Sequence, residues 1–519
     1  MQDIRAFQRA VTRFGDRTAL ISESGKTLTY AELGRRTDAL ARAIDDRIGD
    51  GRTASLLDNG PAAVEMMIAA QKRGSANAQL SFRGAAGELC EMIRTADAEA
   101  LVFDEANAEM AEKVLDRLDL DVALYVGDDE PDGASAERYE AAVESDETAV
   151  ESPEAAYQAV EDPDAETGIL YTSGTTSKPK AVLEDQRRVW LGASQVVMEL
   201  GLDPNDIALV TTPWYHDVTT VAWIYPHLQV GATLVLQSAF DPPETMELLE
   251  THDVTGLLAV PAQLEALLDV ESEGSHDLSA LSYIRTGGAV VSPSLVERVR
   301  ERMTEGVHNT YGLTEGISNL SHAYPEEQLA NPGTVGNASF NWELRVVEAA
   351  EPDEDPDPAA EVDRGQSGEL IGRGPFVDGY IDSPEAEERL FVDHEWLRTM
   401  DVAHVDDDGG LHIVDRVDNM LVSGGENVYP QEVEMALEDH PAVRAAAVVG
   451  VPDDEWGDRI AAVVVAEGVT PEDLEDHCLA HDELADFKRP RSYAITSDAL
   501  PRSDTGTLLR EEIRRSYFQ

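Results

Sequence analysis

Residues 169–182 read Ile-Leu-Tyr-Thr-Ser-Gly-Thr-Thr-Ser-Lys-Pro-Lys-Ala-Val. An apolar run gives way to a loop of small and hydroxyl-bearing residues that ends in two lysines. Small residues let backbone N–H groups approach an anion, hydroxyls add donors, and lysine adds charge. That combination suits a grip on phosphate. The spacing is not G-x-x-x-x-G-K-S/T, and no G-x-G-x-x-G opens the chain. Ser423-Gly424-Gly425 is a second loop that allows close backbone approach to a ligand. Phe487, Lys488, Arg489 and Arg491 form a basic cluster suited to an anion, or to a salt-bridged surface patch. His216 ends the apolar segment TTPWYH, where a histidine either packs in a core or faces a pocket. Cys90 and Cys478 stand too far apart in sequence for a metal motif or a disulfide framework.

The elements that must position these residues alternate. Strand-like runs at TASLLDNG, AEALVFD, VALYVG, IALVTTP, ATLVLQ, GLLAVP and SYIRTGG are separated by helical spacing, as at Leu33, Leu40 and Ile44. Such alternation predicts a parallel sheet with crossover helices. Residues 128–166, rich in acid, Pro and Ala, read as a surface connection. Residues 350–366 read as a loop. Short strands follow, then a compact α+β pattern with helices at 430–438 and 471–480. The expected architecture is α/β: a large multi-sheet N-terminal domain, 1–416, and a small α+β C-terminal domain, 417–519.

Composition bounds the rest. At 519 residues the chain is long enough for two to four domains. Its 102 acidic residues against 40 basic ones leave a net charge of −62. A nucleic-acid binder or an anionic-membrane binder needs a basic face, so neither is expected. Apolar periodicity throughout argues against disorder. The acids are dispersed, and lysines number six against 34 arginines. This balance suits a cytoplasm at very high salt, where the Debye length falls to about 3 Å or less. The N-terminus has no signal-peptide pattern, and no apolar run of membrane-spanning length is found. A cytoplasmic protein is expected.

In this setting the chain resembles the adenylate-forming acyl- and aryl-CoA synthetases, and most closely benzoate-type ligases such as 4-chlorobenzoyl-CoA ligase. Tyr171 to Ala181 matches the phosphate-loop signature. TGGAV (286–290), TYGLTE (310–315), PGTVG (332–336), WLRTMD (396–401), DRVDNMLVSGGENVYPQEVE (415–434) and VPDDEWGDRIAAVVV (451–465) follow in the family's order. Ala181, Gln186 and ELADFKRPR (483–491) carry the benzoate-type likeness. The resemblance spans essentially the whole chain.

The resemblance implies two half-reactions: a carboxylate attacks ATP to give an acyl-adenylate, then the small domain swings and CoA attacks the adenylate. ATP, Mg²⁺ and coenzyme A are the implied cofactors. Thr172, Ser173, Gly174, Thr175, Thr176 and Lys180 would cradle the outer phosphates. Tyr311 would stack on adenine beside Gly288, Ala289 and Gly312. Thr314 would bond the α-phosphate and Glu315 would hold Mg²⁺. Asp401 would accept the ribose hydroxyls, Arg416 would contact ribose or phosphate, and Asp418 would be the hinge. His216, Asp217, Val218, Ile317 and Ser318 would line the acyl pocket, with Asp217 unusual for its charge. Ser423, Gly424, Gly425, Trp456, Phe487, Lys488, Arg489 and Arg491 would serve CoA. The partner is a small carboxylic acid, aryl or short to medium acyl, and a homodimer is left open.

The chain departs from the pattern in four places. Thr507 stands where the family has the lysine that bridges carboxylate and nucleotide, which puts adenylation in doubt. Arg502 and Arg510 are the local candidates to replace it. Ser177, Met400 and Asp415 each stand for glycine. Three readings follow: a CoA ligase with a slow or rewired adenylation step, an adenylating enzyme with a carrier-protein thiol or amine as acceptor, and a non-catalytic adenylate-binding homologue.

Overall fold

The computed structural model describes residues 2–518 apart from 128–135, 148–156, 173–178, 271–275, 351–353, 424–425, 454–456, 482–483 and 503–507. The chain divides into two units by contact. One comprises Met1–Ala330, Ala338–Glu343 and Arg373–Leu397; the other comprises Asn331–Asn337, Leu344–Gly372 and Arg398–Gln519.

In the first unit, Ile207–Val210, Gly256–Leu258, Tyr283–Gly287 and Val307–Gly312 lie side by side and parallel. Leu209, Leu257, Ile284 and Val307 pack against Leu264 and Val296 from the crossover helices. Each such side chain, fully buried, contributes about 1.5–3 kcal/mol. Because the strands are parallel, their C-terminal ends share one edge, where open α/β sheets bind ligands. The loops leaving that edge carry His216, Gly288 and Glu315.

A second sheet in this unit holds the phosphate-loop strands. Glu166–Thr172 lies parallel to Asn77–Gln79 and antiparallel to Lys180–Asp185. Tyr380–Ile381 pairs antiparallel with the latter. Asp185 caps the next helix, Gln186–Leu200, accepting from the Arg187 and Arg188 N–H groups at 3.0 and 2.9 Å.

Residues 128–166 are not merely a surface connection. They contain a helix, Tyr139–Glu147. Tyr139 is fully buried and donates to Glu65 at 2.6 Å. Arg36 ties Glu65 to Glu140. Local composition hid this helix because its partners lie about 70 and 100 residues away.

In the second unit, Val443–Asp453 pairs antiparallel with Gly457–Ala466, which runs parallel to Ser492–Thr496. Helices Pro430–Glu438 and Pro471–Ala480 supply Val433, Leu437 and Leu474 to one core. Ile513 of helix Arg510–Tyr517 belongs to another. Residues 401–405 pair antiparallel with Leu411–Arg416.

Candidate active site

Thr172 and Lys180 face each other across the antiparallel pair that brackets the phosphate loop. The Lys180 Nζ sits 5.0 Å from the centre of the Tyr380 ring, within cation–π range. The Tyr380 hydroxyl donates to Glu315 Oε1. Glu315 is buried in the short 3₁₀ turn Thr314–Gly316, and its carbonyl accepts from the Val377 N–H at 3.0 Å. A cation, an aromatic ring and a buried carboxylate thus stand in a row. Ser173, Gly174, Thr175, Thr176 and Lys178 lie outside the described residues.

Among the described residues no group of three or more His, Cys, Asp or Glu could form a metal cage. Glu315 alone suits Mg²⁺ that arrives with nucleotide phosphates, since this ion usually takes one or two protein carboxylates.

Beside Glu315 the backbone comes unusually close. A Cβ at Gly287 would lie 2.2 Å from the Thr310 carbonyl oxygen, and one at Gly312 would lie 2.5 Å from that of Ser318. Only glycine fits either place. Gly288 and Ala289 are exposed next to the half-buried Tyr311.

The five acyl-pocket candidates fall partly together. The buried Asp217 carboxylate accepts from the Ser318 N–H at 3.0 Å. Its other oxygen, Oδ1, has no hydrogen-bond partner. Burial pushes the Asp217 carboxyl up to about 7, against the Ser318 hydrogen bond and the nearby Arg285 charge, and Glu315 pushes the same way. Asp217 in turn raises the buried Glu184, whose dominant cause is desolvation. The His216 ring lies 4.5 Å from that of Tyr215, tilted at 59°. Burial, helped by Arg83, lowers it to about 4, so the imidazole is neutral at pH 7. Val218 is half-buried and Ile317 fully buried.

Ile317 and Ser318 have φ of 50° and 87°. A β-branched residue rarely adopts that region, and such strain gathers at functional sites. Gly192 makes room for this loop: a Cβ there would lie 2.8 Å from the Ile317 oxygen.

Sequence reasoning missed two features. Tyr380 carries no motif of its own, and its place follows from strand pairing 200 residues away in sequence. The other is a buried polar chain that starts at Arg285. Arg285 donates to Asn319 Oδ1 at 2.8 Å, Asn319 to Glu199 at 3.0 Å, and Glu199 pairs with His322 at 3.1 Å. His308 meets His322 at 2.8 Å. Gln186, singled out as a family marker, is structural: it bonds the Ile4 N–H and the Gln71 carbonyl.

The remaining candidates belong to the second unit. Asp401 is buried on its strand, with Arg416 Nη1 at 3.4 Å. Met400 has φ of 60°, a conformation glycine adopts at no steric cost. Asp418 is exposed in the 3₁₀ turn Val417–Asn419. Ser423 is buried and pairs with Gly457. Lys488 pairs with Glu432 and also lies 5.9 Å from the Phe487 ring centre, while Arg489 pairs with Glu475 at 3.3 Å. Arg491 bonds the Ile460 carbonyl through its N–H at 2.8 Å. Lys488 and Arg489 are thus each paired to a carboxylate. Gly424, Gly425, Trp456 and Thr507 lie outside the described residues. Arg510 does not stand free to replace the lysine: its guanidinium holds both Glu434 oxygens and the Val448 carbonyl.

Comparison with known proteins bears on the family and the fold. The AMP-binding enzyme family matches residues 7–380, and the AMP-binding enzyme C-terminal domain matches 432–507. A feruloyl-CoA synthase of Amycolatopsis is 34% identical over 97% of both chains. A 4-chlorobenzoate–CoA ligase of Arthrobacter is 30% identical over 95% of this chain and 90% of its own. The solved amide bond synthetase of Marinactinospora thermotolerans superposes with a TM-score of 0.86 at 27% identity, covering all of both chains. With its strand-edge loops, phosphate-loop strands and small C-terminal α+β sheet, the chain belongs to the AMP-binding enzyme family, whose members include aryl-CoA ligases.

Proposed function

We propose that the protein is an ATP-dependent carboxylate–CoA ligase acting through an acyl-adenylate, with an aryl acid as substrate. The row Lys180–Tyr380–Glu315 carries the reading, because it sets a cation and a metal-competent carboxylate together at the sheet edge. The names of the curated relatives support the acid class. In the first step the substrate carboxylate attacks the α-phosphorus of ATP, and pyrophosphate leaves. Two anions must meet, so positive charge and alignment dominate the barrier. Lys180, Thr172 and the loop hydroxyls hold the outer phosphates. Tyr311 stacks on adenine, Thr314 donates to the α-phosphate, and Asp401 and Arg416 take the ribose. Mg²⁺ at Glu315 would neutralise phosphate charge. In the second step the CoA thiol attacks the adenylate carbonyl and AMP leaves.

Thr507 withholds a charge from the first step. Loss of one such donor typically costs about 10²–10³ in rate. In molar KCl, carboxylate-dependent pyrophosphate release is expected to be slow, and thioester formation from preformed acyl-adenylate plus CoA faster. Thr507→Lys should raise pyrophosphate release by about 10²-fold; no gain would sink this account of position 507.

A second reading, transfer to an amine, gains support from one observation. Lys488 and Arg489, two of the three cations assigned to CoA, are paired to Glu432 and Glu475. Amide formation from preformed adenylate with no thioester from CoA would select it.

A further inference from the structure

Asp415 stands where the family pattern has glycine, yet the residue is 2% exposed and both of its carboxylate oxygens are bonded. Oδ1 accepts from the Arg416 N–H at 2.7 Å and from Asn419 Nδ2 at 2.8 Å. Oδ2 accepts from the Gln431 N–H at 2.8 Å. Those donors belong to three elements: the end of strand Leu411–Arg416, the 3₁₀ turn Val417–Asn419, and the first turn of helix Pro430–Glu438. A carboxylate at a helix N-terminus is favoured by the backbone dipoles there. Arg510 also lies close enough for Asp415 to support its charge. A glycine at 415 could make none of these bonds.

We propose that Asp415 is a clamp across the expected hinge at Asp418, holding strand Leu411–Arg416 and helix Pro430–Glu438 as one piece. Rotation about residue 418 would carry Gln431 away from Asp415, so the clamp must open first. The same carboxylate fixes the Arg416 backbone, which makes Asp415 a positioning residue for Arg416. Hydrogen bonds to a charged group are among the stronger ones, and loss of the one to Gln431, which rotation must break, shifts the balance by about tenfold.

The first test is proteolysis of the full-length protein in molar KCl. The Arg416 side chain is 47% exposed, but its N–H is pinned. Trypsin cleavage at Arg416–Val417, relative to cleavage elsewhere in the same digest, should rise about tenfold in Asp415→Gly. Asp415→Asn, which keeps one acceptor oxygen, should fall between. A uniform rise at all sites would mean general destabilisation and would overturn the clamp.

The second test rests on the two-step function proposed above. In a Thr507→Lys background, where adenylation is expected to be relieved, complete turnover should be slower than either half-reaction measured alone, because the hinge must open between them. Asp415→Gly should narrow that gap about tenfold. An unchanged gap overturns the clamp even where both half-reactions run. Absence of both half-reactions would instead count against the proposed function, and the proteolysis result would then decide on the clamp.

Discussion

Asp217 sits in an environment that fits its chemistry poorly. One oxygen is bonded to the Ser318 N–H, the other is buried without a partner, and Glu315 adds a like charge. With its carboxyl raised to about 7, the folded state keeps a proton that the unfolded chain releases near pH 4. Stability from this group is therefore lost as pH rises from about 4 to 7. Asp217→Asn removes that penalty. The melting temperature of the variant minus that of the wild type should be more positive at pH 8 than at pH 5. A difference independent of pH would show that Asp217 titrates normally. Asp217 drew notice in the sequence because an acid is unusual at that position. Its unmet oxygen was not legible there, since it depends on how Ser318 and Glu184 converge on it.

At the scale of elements, the strained turn after Gly316 depends on helix Gln186–Leu200 lying close to it. Gly192 is the point of contact. An alanine there would place its Cβ 2.8 Å from the Ile317 oxygen and 3.0 Å from the Ser318 Cβ. Backbone cannot fold away as a side-chain tip can, so the strained turn must shift. Gly192→Ala gains about 1 kcal/mol in helix propensity and loses about 1–3 kcal/mol to overpacking. We expect a net loss of stability of about 1 kcal/mol and a rise of about tenfold in the KM for the acid, with the KM for ATP little changed. Equal effects on both KM values would show a general disturbance instead.

The elements themselves were largely legible. Strand 98–104 and helices 430–438 and 471–480 stand where apolar periodicity put them. That signal is local. Contacts set by distant pairing were not legible: Tyr380 on Glu315, Tyr139 on Glu65, and Arg510 on Glu434. The glycine replaced by Asp415 was visible as a departure, but its compensation lies in three donors that no spacing rule connects.

For the molecule as a whole, a net charge of −62 means self-repulsion that only screening relieves. Raising KCl from 0.1 to 2 M shortens the Debye length from about 10 Å to below 3 Å. The melting temperature should rise by roughly 10 °C or more over that range. A flat or falling dependence would mean that local ion pairs such as Arg52–Glu166, which salt weakens, outweigh the global field.

One lysine escapes that surface balance. Lys72 is 3% exposed and bonded to the Gly34 carbonyl, Thr37 and Asp38. Burial lowers its pKa, yet no reagent in solution can reach the amine while the fold is closed. Lys113, paired with Glu109, is half exposed. In a chain so poor in primary amines, acylation of Lys72 therefore serves as an intrinsic record of how often the interior opens, against a background of few other labelled sites.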